Sequence, residues 1–202
     1  LTEKLPAPLG LVLAGGEGRR MGGRDKAFLT LGGETLAARA VRRLARQLPS
    51  VAISSNADAS VFAGLGCFVL PDRASDRRGP LAGVEAGLAH ARDAGLPGIV
   101  TVAVDTPFFP GDLAARLIAA SKGMTAVALA ATGDGLHPTC GFWPVTALGP
   151  VSARLAGGDY RLGRLAEAEL DGQRVTFAGD GFFNVNRPAD LVVAETMLAG
   201  RD

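Results

Sequence analysis

Short apolar runs alternate with amphipathic segments along most of this chain. The first run, LGLVL at residues 9–13, is continuous, as expected of a strand that is buried on both faces of a sheet. Similar runs are VAIS at 51–54, CFVL at 67–70 and GIVTVAV at 98–104. Alternation of such strands with helices is typical of a mainly parallel sheet that is covered by helices on both faces. The pattern therefore predicts an α/β fold with three layers, α/β/α.

The segments between these strands have helical periodicity. In the first segment an apolar residue recurs at every fourth position, at Leu36, Ala40, Leu44 and Leu48. Arginines occupy other positions of this helix, and we expect its basic face to be solvated. Residues 80–95 form a second predicted helix, with Pro80 in its first turn and Gly95 near its end. A helix at 111–121, strands at 125–130 and 174–177 and a final helix from Pro188 complete the prediction.

Bulk properties limit the classes of function. The chain has 202 residues, which suits one domain over 1–202, and its net charge of +1 favours neither a nucleic acid nor an anionic membrane as partner. No apolar run approaches the roughly 18 residues of a membrane span, and the first residues lack the pattern of a secretory signal. The two cysteines, Cys67 and Cys140, suggest no disulfide framework. We expect a cytoplasmic protein.

The segment from Leu13 to Lys26, LAGGEGRRMGGRDK, follows the first predicted strand directly. Its glycines allow backbone N–H groups to approach a bulky anion, and its arginines and lysine can neutralise phosphate charge. A surface turn with incidental arginines is the alternative interpretation. The segment fits neither the P-loop motif nor G-x-G-x-x-G, which disfavours a P-loop kinase and a simple dehydrogenase. The cation density favours a polyphosphate site.

Asp105 lies where the strand at 98–104 ends, at the sheet edge where open α/β sheets bind ligands. A carboxylate in this position can hold Mg²⁺ against phosphate oxygens. The alternative is that Asp105 only caps the following turn. Together with the Leu13–Lys26 segment, the metal role is the better prediction. Asp72, after the strand at 67–70, is a second acidic candidate.

Asn184 and Asn186 flank a valine, so both amides would point to the same side of an extended segment. Such a pair can hold a polar ligand, but Asn186 could equally cap the helix that starts near Pro188. His90 and His137 have no second ligand at a spacing that suits zinc. Cys140 has no recognisable base near it in sequence, so covalent catalysis has no support.

Five separated segments together resemble the molybdenum cofactor guanylyltransferases. They are, in order, LAGGEGRRMGGRDKAFLTLGG, GPLAGVEAGL, AVDTPFFP, HPTCGFWP and FFNVNRPADL, and the resemblance covers about residues 9 to 195. The doubled glycine Gly15-Gly16 and the pair Asp25-Lys26 resemble the guanylyl-transferring branch. The resemblance implies a Rossmann-like nucleotidyltransferase fold.

The resemblance also implies a reaction and a set of site residues. GTP and Mg²⁺ would bind, and the terminal phosphate of molybdopterin would attack the α-phosphorus to form the guanine dinucleotide cofactor and pyrophosphate. Leu13, Ala14, Gly15 and Gly16 would lie at the nucleotide, with Asn56 and Asp72 at its nucleoside part. Arg20 and Lys26 would contact phosphates, Asp105 would bind the metal, and Asn184 and Asn186 would lie near the molybdopterin. Other molybdenum-cofactor assembly proteins are implied as partners.

Two alternatives remain open at this point. One is a related nucleotidyltransferase that uses CTP, or another acceptor such as a sugar phosphate. The other is a nucleotide-binding or cofactor-binding module that has kept the fold without catalysis. Arg20, Lys26 and Asp105 are all present, which favours an enzyme.

Overall fold

The structure of the chain, a computed structural model, describes residues 6–15, 25–71 and 79–200. Its strands in these ranges are β1 (Leu9–Leu13), β2 (Thr30–Leu31), β3 (Glu34–Thr35), β4 (Val51–Ser54), β5 (Phe68–Leu70), β6 (Gly98–Ala103), β7 (Ala128–Thr132), β8 (Gly135–Pro144) and β9 (Gln173–Thr176). Its α-helices are α1 (Leu36–Ala45), α2 (Pro80–Asp93), α3 (Leu113–Ala120), α4 (Leu148–Ala156), α5 (Leu162–Arg164) and α6 (Pro188–Ala199). Short 3₁₀ turns include Lys26–Phe28 and Ala59–Phe62.

Seven of these strands form one sheet in the order β5-β4-β1-β6-β8-β7-β9, and β2 and β3 form a separate hairpin. The pairs β1/β4, β1/β6, β4/β5 and β7/β9 are parallel. Only β8 runs against its neighbours, β6 and β7. The predicted mainly parallel sheet is therefore confirmed, and the carboxyl ends of β1, β4, β5 and β6 meet at one edge.

Helices cover both faces of the sheet, and strand β1 shows how the core is divided between them. All five residues of β1 are buried, as its unbroken apolar sequence predicts. Val12 belongs to the core cluster that contains α1 and α3, whereas Leu11 and Leu13 belong to the cluster that contains α2 and α4. Alternate side chains of one strand thus fill two different cores, which confirms the three-layer prediction.

The basic face of α1 is not simply solvated, so this part of the sequence prediction is wrong. Arg39 is 7% exposed and donates to the backbone oxygen of Leu31 at 3.2 Å. Arg43 donates to the backbone oxygens of Phe108 and Phe109. Arginine can bury its long apolar stem when backbone oxygens satisfy its head group. Leu48 is buried as expected but lies beyond the end of α1.

Strands β7 and β8 also differ from the prediction. Residues 121–126 form a turn, in which Ser121 accepts from the backbone N–H groups of Met124, Thr125 and Ala126, so β7 begins only at Ala128. The HPTCGFWP segment, to which the sequence assigned no element, lies in β8. Along this pair Ala130 lies opposite His137 and Leu129 opposite Gly141, so residues 138–140 form a bulge.

Across the described part of the chain, we find no helix with both the length and the apolar character needed to span a bilayer.

Candidate active site

Strands β1, β4 and β6 remain hydrogen-bonded to one another just beyond their carboxyl ends. The backbone oxygen of Leu13 accepts from Val104 N at 3.0 Å, and Ala14 N donates to the backbone oxygen of Ser54 at 3.0 Å. Leu13 and Ala14 are buried, and the exposed residue that follows is Gly15. The chain therefore leaves the sheet at Gly15, at the edge where a ligand can approach.

Helix α2 begins at the same edge and packs closely on the strand ends. A Cβ atom on Gly83 would lie 2.6 Å from the Ser54 hydroxyl oxygen and 2.9 Å from a methyl carbon of Leu13. Both distances are shorter than side-chain contacts allow, so the absence of a side chain at Gly83 permits this approach. The GPLAG segment thus sets how near α2 lies to the ends of β1 and β4.

Lys26, the last residue of the Leu13–Lys26 segment, contacts two other predicted site residues. Its Nζ lies 2.7 Å from Asp105 Oδ2 and 2.5 Å from Asn186 Oδ1. Lys26 is the first residue of the 3₁₀ turn Lys26–Phe28. The Asp25 carboxylate caps this turn by accepting from Ala27 N at 2.9 Å. The side chains of Lys26 and Asp105 are 20% and 21% exposed. The Lys26 side chain is therefore mostly buried, and the bonds to Asp105 and Asn186 use two of the three N–H donors of its ammonium group.

The segment with the two asparagines runs beside Asp105. Val185 N donates to the backbone oxygen of Asp105 at 2.8 Å, and the Thr106 hydroxyl donates to Asn184 Oδ1 at 2.7 Å. The alternative that Asn186 caps α6 is not what the structure shows, because its Oδ1 accepts from Lys26. Asp190 in the first turn of α6 supplies the cap instead: its carboxylate accepts from the backbone N–H groups of Asn186 and Arg187, which directly precede the helix.

Helix α1 holds the loop that follows β6. Arg43 donates to the backbone oxygens of Phe108 and Phe109, and its guanidinium carbon lies 5.2 Å from the centre of the Phe109 ring. Gln47 donates to the backbone oxygen of Pro110 at 3.1 Å and accepts from Ala114 N at 2.9 Å. These contacts tie residues 108–114 to α1 and to the turn that follows it, and Asp105 lies three residues before this segment.

The bulge in β8 brings two further side chains to this edge. Burial raises the pKa of the Cys140 thiol to about 12, against the opposing effect of hydrogen bonds with the Ala103 backbone, Thr139 and Thr106. The ring of His137 stacks on Phe182 with 4.5 Å between centres and pairs with the Thr132 hydroxyl at 2.9 Å. Burial lowers the pKa of His137, and the Asp134 charge opposes this shift.

The predicted site residues fall into four groups, and the first is Leu13, Ala14 and Gly15, at and just after the end of β1. Lys26, Asp105 and Asn186 are in direct contact, and Asn184 joins them through Thr106. Asn56 is exposed in the loop after β4. In the sheet, β1 lies between β4 and β6, the strand that ends near Asp105. Three candidates, Gly16, Arg20 and Asp72, lie outside the described residues.

Sequence reasoning missed two residues that shape the site. Thr106 was considered only as part of a turn; the residue is 2% exposed, and its hydroxyl donates to Asn184. Asp190 was not considered, although an acidic residue in the first turn of a helix after Arg187-Pro188 is a known sign of a capping box. No pattern in the sequence points to the contact between Thr106 and Asn184.

The side chains of Lys26, Asp105 and Asn186 suit the binding of a metal cation together with a phosphate anion. Asp105 Oδ2 and Asn186 Oδ1 are two oxygen ligands that both approach a single positive charge, and oxygen is the ligand type of Mg²⁺. Within the described ranges no group of three or more His, Cys, Asp or Glu residues could hold a metal. A metal bound here would be coordinated by one protein carboxylate together with phosphate oxygens of the bound substrate. This is the usual arrangement for Mg²⁺ in phosphate-binding sites.

Comparisons with known proteins identify relatives of the whole chain. Residues 10–173 match the family model of the MobA-like NTP transferase domain. A molybdenum cofactor guanylyltransferase of Cereibacter sphaeroides is 50% identical over 190 residues, which cover 94% of this chain and 96% of that protein. Another from Rhizobium leguminosarum bv. trifolii is 42% identical over 200 residues, covering 94% and 92%.

A solved structure confirms the fold. The chain resembles molybdopterin-guanine dinucleotide biosynthesis protein A from Archaeoglobus fulgidus with a TM-score of 0.77 and 21% identity, covering 95% of this chain and 99% of that one. The Rossmann-like nucleotidyltransferase fold that the sequence resemblance implied is therefore confirmed. By the family model and the two guanylyltransferase relatives, this chain belongs to the MobA-like NTP transferases, as a molybdenum cofactor guanylyltransferase.

Proposed function

We propose that the chain transfers GMP from GTP to the terminal phosphate of molybdopterin, forming the guanine dinucleotide cofactor and releasing pyrophosphate. An oxygen of the acceptor phosphate attacks the α-phosphorus, and the bond from that phosphorus to the oxygen bridging to the β-phosphate breaks. The observation that carries the proposal is the contact of Lys26 with both Asp105 and Asn186 at the carboxyl edge of the sheet. The relatives named for this reaction support it.

Lys26 binds phosphate in this proposal. Its ammonium is oriented by Asp105 and Asn186, and these two bonds leave a third N–H donor for a phosphate oxygen. A compact point charge of this kind stabilises the negative charge that develops on the oxygens of the α-phosphate and of the departing pyrophosphate. Arg20, on the same loop, adds a planar donor for the remaining phosphate oxygens.

Asp105 would hold a divalent metal, Mg²⁺ in this proposal, and the Asn186 side-chain oxygen, which shares the Lys26 ammonium with Asp105, would be a second oxygen ligand. When bound, Mg²⁺ neutralises triphosphate charge and orients the phosphates for in-line attack. Arg43 in α1 and Gln47 just after it keep the loop that follows Asp105 in place. The site therefore acts mainly by positioning and charge stabilisation, as phosphoryl-type transfers require.

The base is read at the end of β1 in this proposal. Since the Leu13 oxygen and the Ala14 N–H are bonded to neighbouring strands, recognition falls to the Ala14 oxygen and to the peptide groups of Gly15 and Gly16. Asn56 and Asp72, in the loops after β4 and β5, bind the nucleoside part. Guanine offers one ring N–H and its exocyclic amino group as donors, which suit such backbone oxygens.

The acceptor approaches Asn184 and Asn186. No protein nucleophile is required, because a phosphate dianion already carries the attacking oxygen. Cys140 cannot serve as one, since the thiolate is the reactive form and burial raises its pKa to about 12. We further propose that the chain works as one domain in the cytoplasm and passes its product to other molybdenum-cofactor assembly proteins.

Pyrophosphate release tests this proposal. The chain is incubated with molybdopterin, Mg²⁺ and one of GTP, CTP or ATP, and pyrophosphate is measured with and without the acceptor. We expect release with GTP only, dependent on both acceptor and metal. Equal release with CTP would point to the cytidylyl-transferring alternative. Binding of GTP without release under any condition would support a non-catalytic module instead.

A further inference from the structure

Asn184 is held by a residue that the proposed reaction does not use. The Thr106 hydroxyl is 2.7 Å from Asn184 Oδ1 and donates its hydrogen to that oxygen. Thr106 is 2% exposed, whereas Asn184 is an exposed residue. An exposed asparagine ordinarily samples several side-chain rotamers, so a bond to a buried and immobile hydroxyl restricts Asn184 to one of them.

The bond also decides which atom of the amide faces the site. A carboxamide has one acceptor oxygen and one donor NH₂ group. Because Oδ1 of Asn184 is turned toward the Thr106 hydroxyl, the NH₂ group is turned away from it and is the part that a ligand can meet. Lys26 has the same effect on Asn186, since an ammonium can only donate and so requires Oδ1. Both amides therefore offer N–H donors.

Thr106 itself is well supported. The backbone N–H of Val185 donates to the Asp105 oxygen at 2.8 Å, which keeps the asparagine segment beside Thr106. The buried Cys140, from the bulge in β8, also lies within hydrogen-bonding reach of the Thr106 side chain. The hydroxyl thus lies between the asparagine segment and β8, and it donates toward Asn184.

We propose that Thr106 is a positioning residue, which holds Asn184 so that its amide N–H groups face an anionic group of the acceptor. The inference rests on the proposed function and assigns the amide pair to the terminal phosphate of the acceptor, because a phosphate accepts hydrogen bonds and the pair donates them. Thr106 acts through Asn184 and does not touch either substrate.

Three substitutions test the role in transfer. Thr106→Val removes the hydroxyl at nearly constant shape, Thr106→Ser keeps it, and Thr101→Val removes another buried hydroxyl, which donates to the backbone oxygen of Gly141 at 3.2 Å. We expect Thr106→Val to raise the acceptor KM about tenfold, equivalent to about 1.4 kcal/mol, with the KM for GTP unchanged. Thr106→Ser and Thr101→Val should behave as the wild type.

A double-mutant cycle tests whether the effect passes through Asn184. In an Asn184→Ala background Thr106→Val should cause no further change in acceptor KM, because the group that Thr106 holds is gone. An undiminished tenfold effect in that background would overturn the inference. So would a wild-type acceptor KM for Thr106→Val alone.

A measurement without turnover separates this inference from the proposed function. In nitrogen-labelled protein, the side-chain NH₂ signals of Asn184 are assigned by their loss in Asn184→Ala. We expect relaxation of these signals to report an ordered amide in the wild type and in Thr106→Ser, and a mobile one in Thr106→Val. An equally ordered amide in Thr106→Val would overturn the positioning role. Absence of transfer by the wild type would count against the proposed function alone, since the NMR result stands without it.

Discussion

The Lys26 ammonium lies 2.7 Å from the Asp105 carboxylate although 79 residues separate them. Asn186 completes the contact from 160 residues away. The loop after β1, the end of β6 and the start of α6 therefore converge on one positive charge at the sheet edge. In the proposed reaction this charge is shared with the triphosphate, and the oxygens around it become available to a metal.

Replacing Asp105 with asparagine should abolish metal-dependent transfer. Asparagine keeps the shape and an oxygen that can accept from Lys26, but it loses the negative charge that binds Mg²⁺. We expect kcat to fall by about a hundredfold or more, with an unchanged melting temperature. Asp112→Asn is the matched control. The Asp112 side chain is 61% exposed, and its ion pair with Arg116 is long, at 3.8 Å. Turnover of Asp105→Asn equal to that of the control would remove Asp105 from the mechanism.

Replacing Lys26 with methionine should weaken the binding of GTP and strengthen the binding of a divalent metal. GTP should bind about tenfold more weakly, since a charged hydrogen-bond donor to phosphate is lost. Without nucleotide, Mn²⁺ should bind about fivefold more tightly, because the ammonium no longer competes for Asp105. Calorimetry measures both affinities. Lys122→Met, at a side chain 59% exposed, is the control. Mn²⁺ affinity that is unchanged or weaker in Lys26→Met would contradict the competition.

Replacing Arg43 with methionine should destabilise the loop that follows Asp105. The change leaves the backbone oxygens of Phe108 and Phe109 without this donor, and we expect the free energy of unfolding to fall by about 1–3 kcal/mol with a lower kcat. Arg42→Met should cost less than about 1 kcal/mol, since Arg42 pairs with Glu34 at a solvent-exposed position. Equal losses in urea denaturation for the two variants would show that Arg43 has no special role.

His137 should make the stability depend on pH. Burial lowers its pKa below the ordinary 6.5, so the unfolded chain binds a proton at a pH where the folded chain does not. The stabilising contribution is present above pH 6.5 and is lost as the pH falls toward the folded value. The variant His137→Phe should lose less stability than the wild type between about pH 7 and pH 5, with both referenced to pH 8. Parallel curves would contradict a neutral buried imidazole.

The fold and part of the site could be predicted from local patterns. An unbroken apolar strand such as β1 must be buried on both faces, and parallel strand ends meet at one edge, so Lys26 and Asp105 were expected near each other. The basic face of α1 was predicted wrongly, because helical periodicity does not reveal that the loop with Phe108 and Phe109 packs against Arg43. The role of Thr106 was also beyond the sequence, since its partner is 78 residues away.

The most direct test follows the phosphorus atoms. The chain is incubated with molybdopterin, Mg²⁺ and GTP carrying radioactive phosphorus at either the α- or the γ-phosphate, with unlabelled CTP in equal amount. We predict that the α-label appears in a guanine dinucleotide of molybdopterin and that the γ-label appears in pyrophosphate. A cytosine dinucleotide, or α-label that stays in GTP while the acceptor is unchanged, would contradict guanylyl transfer.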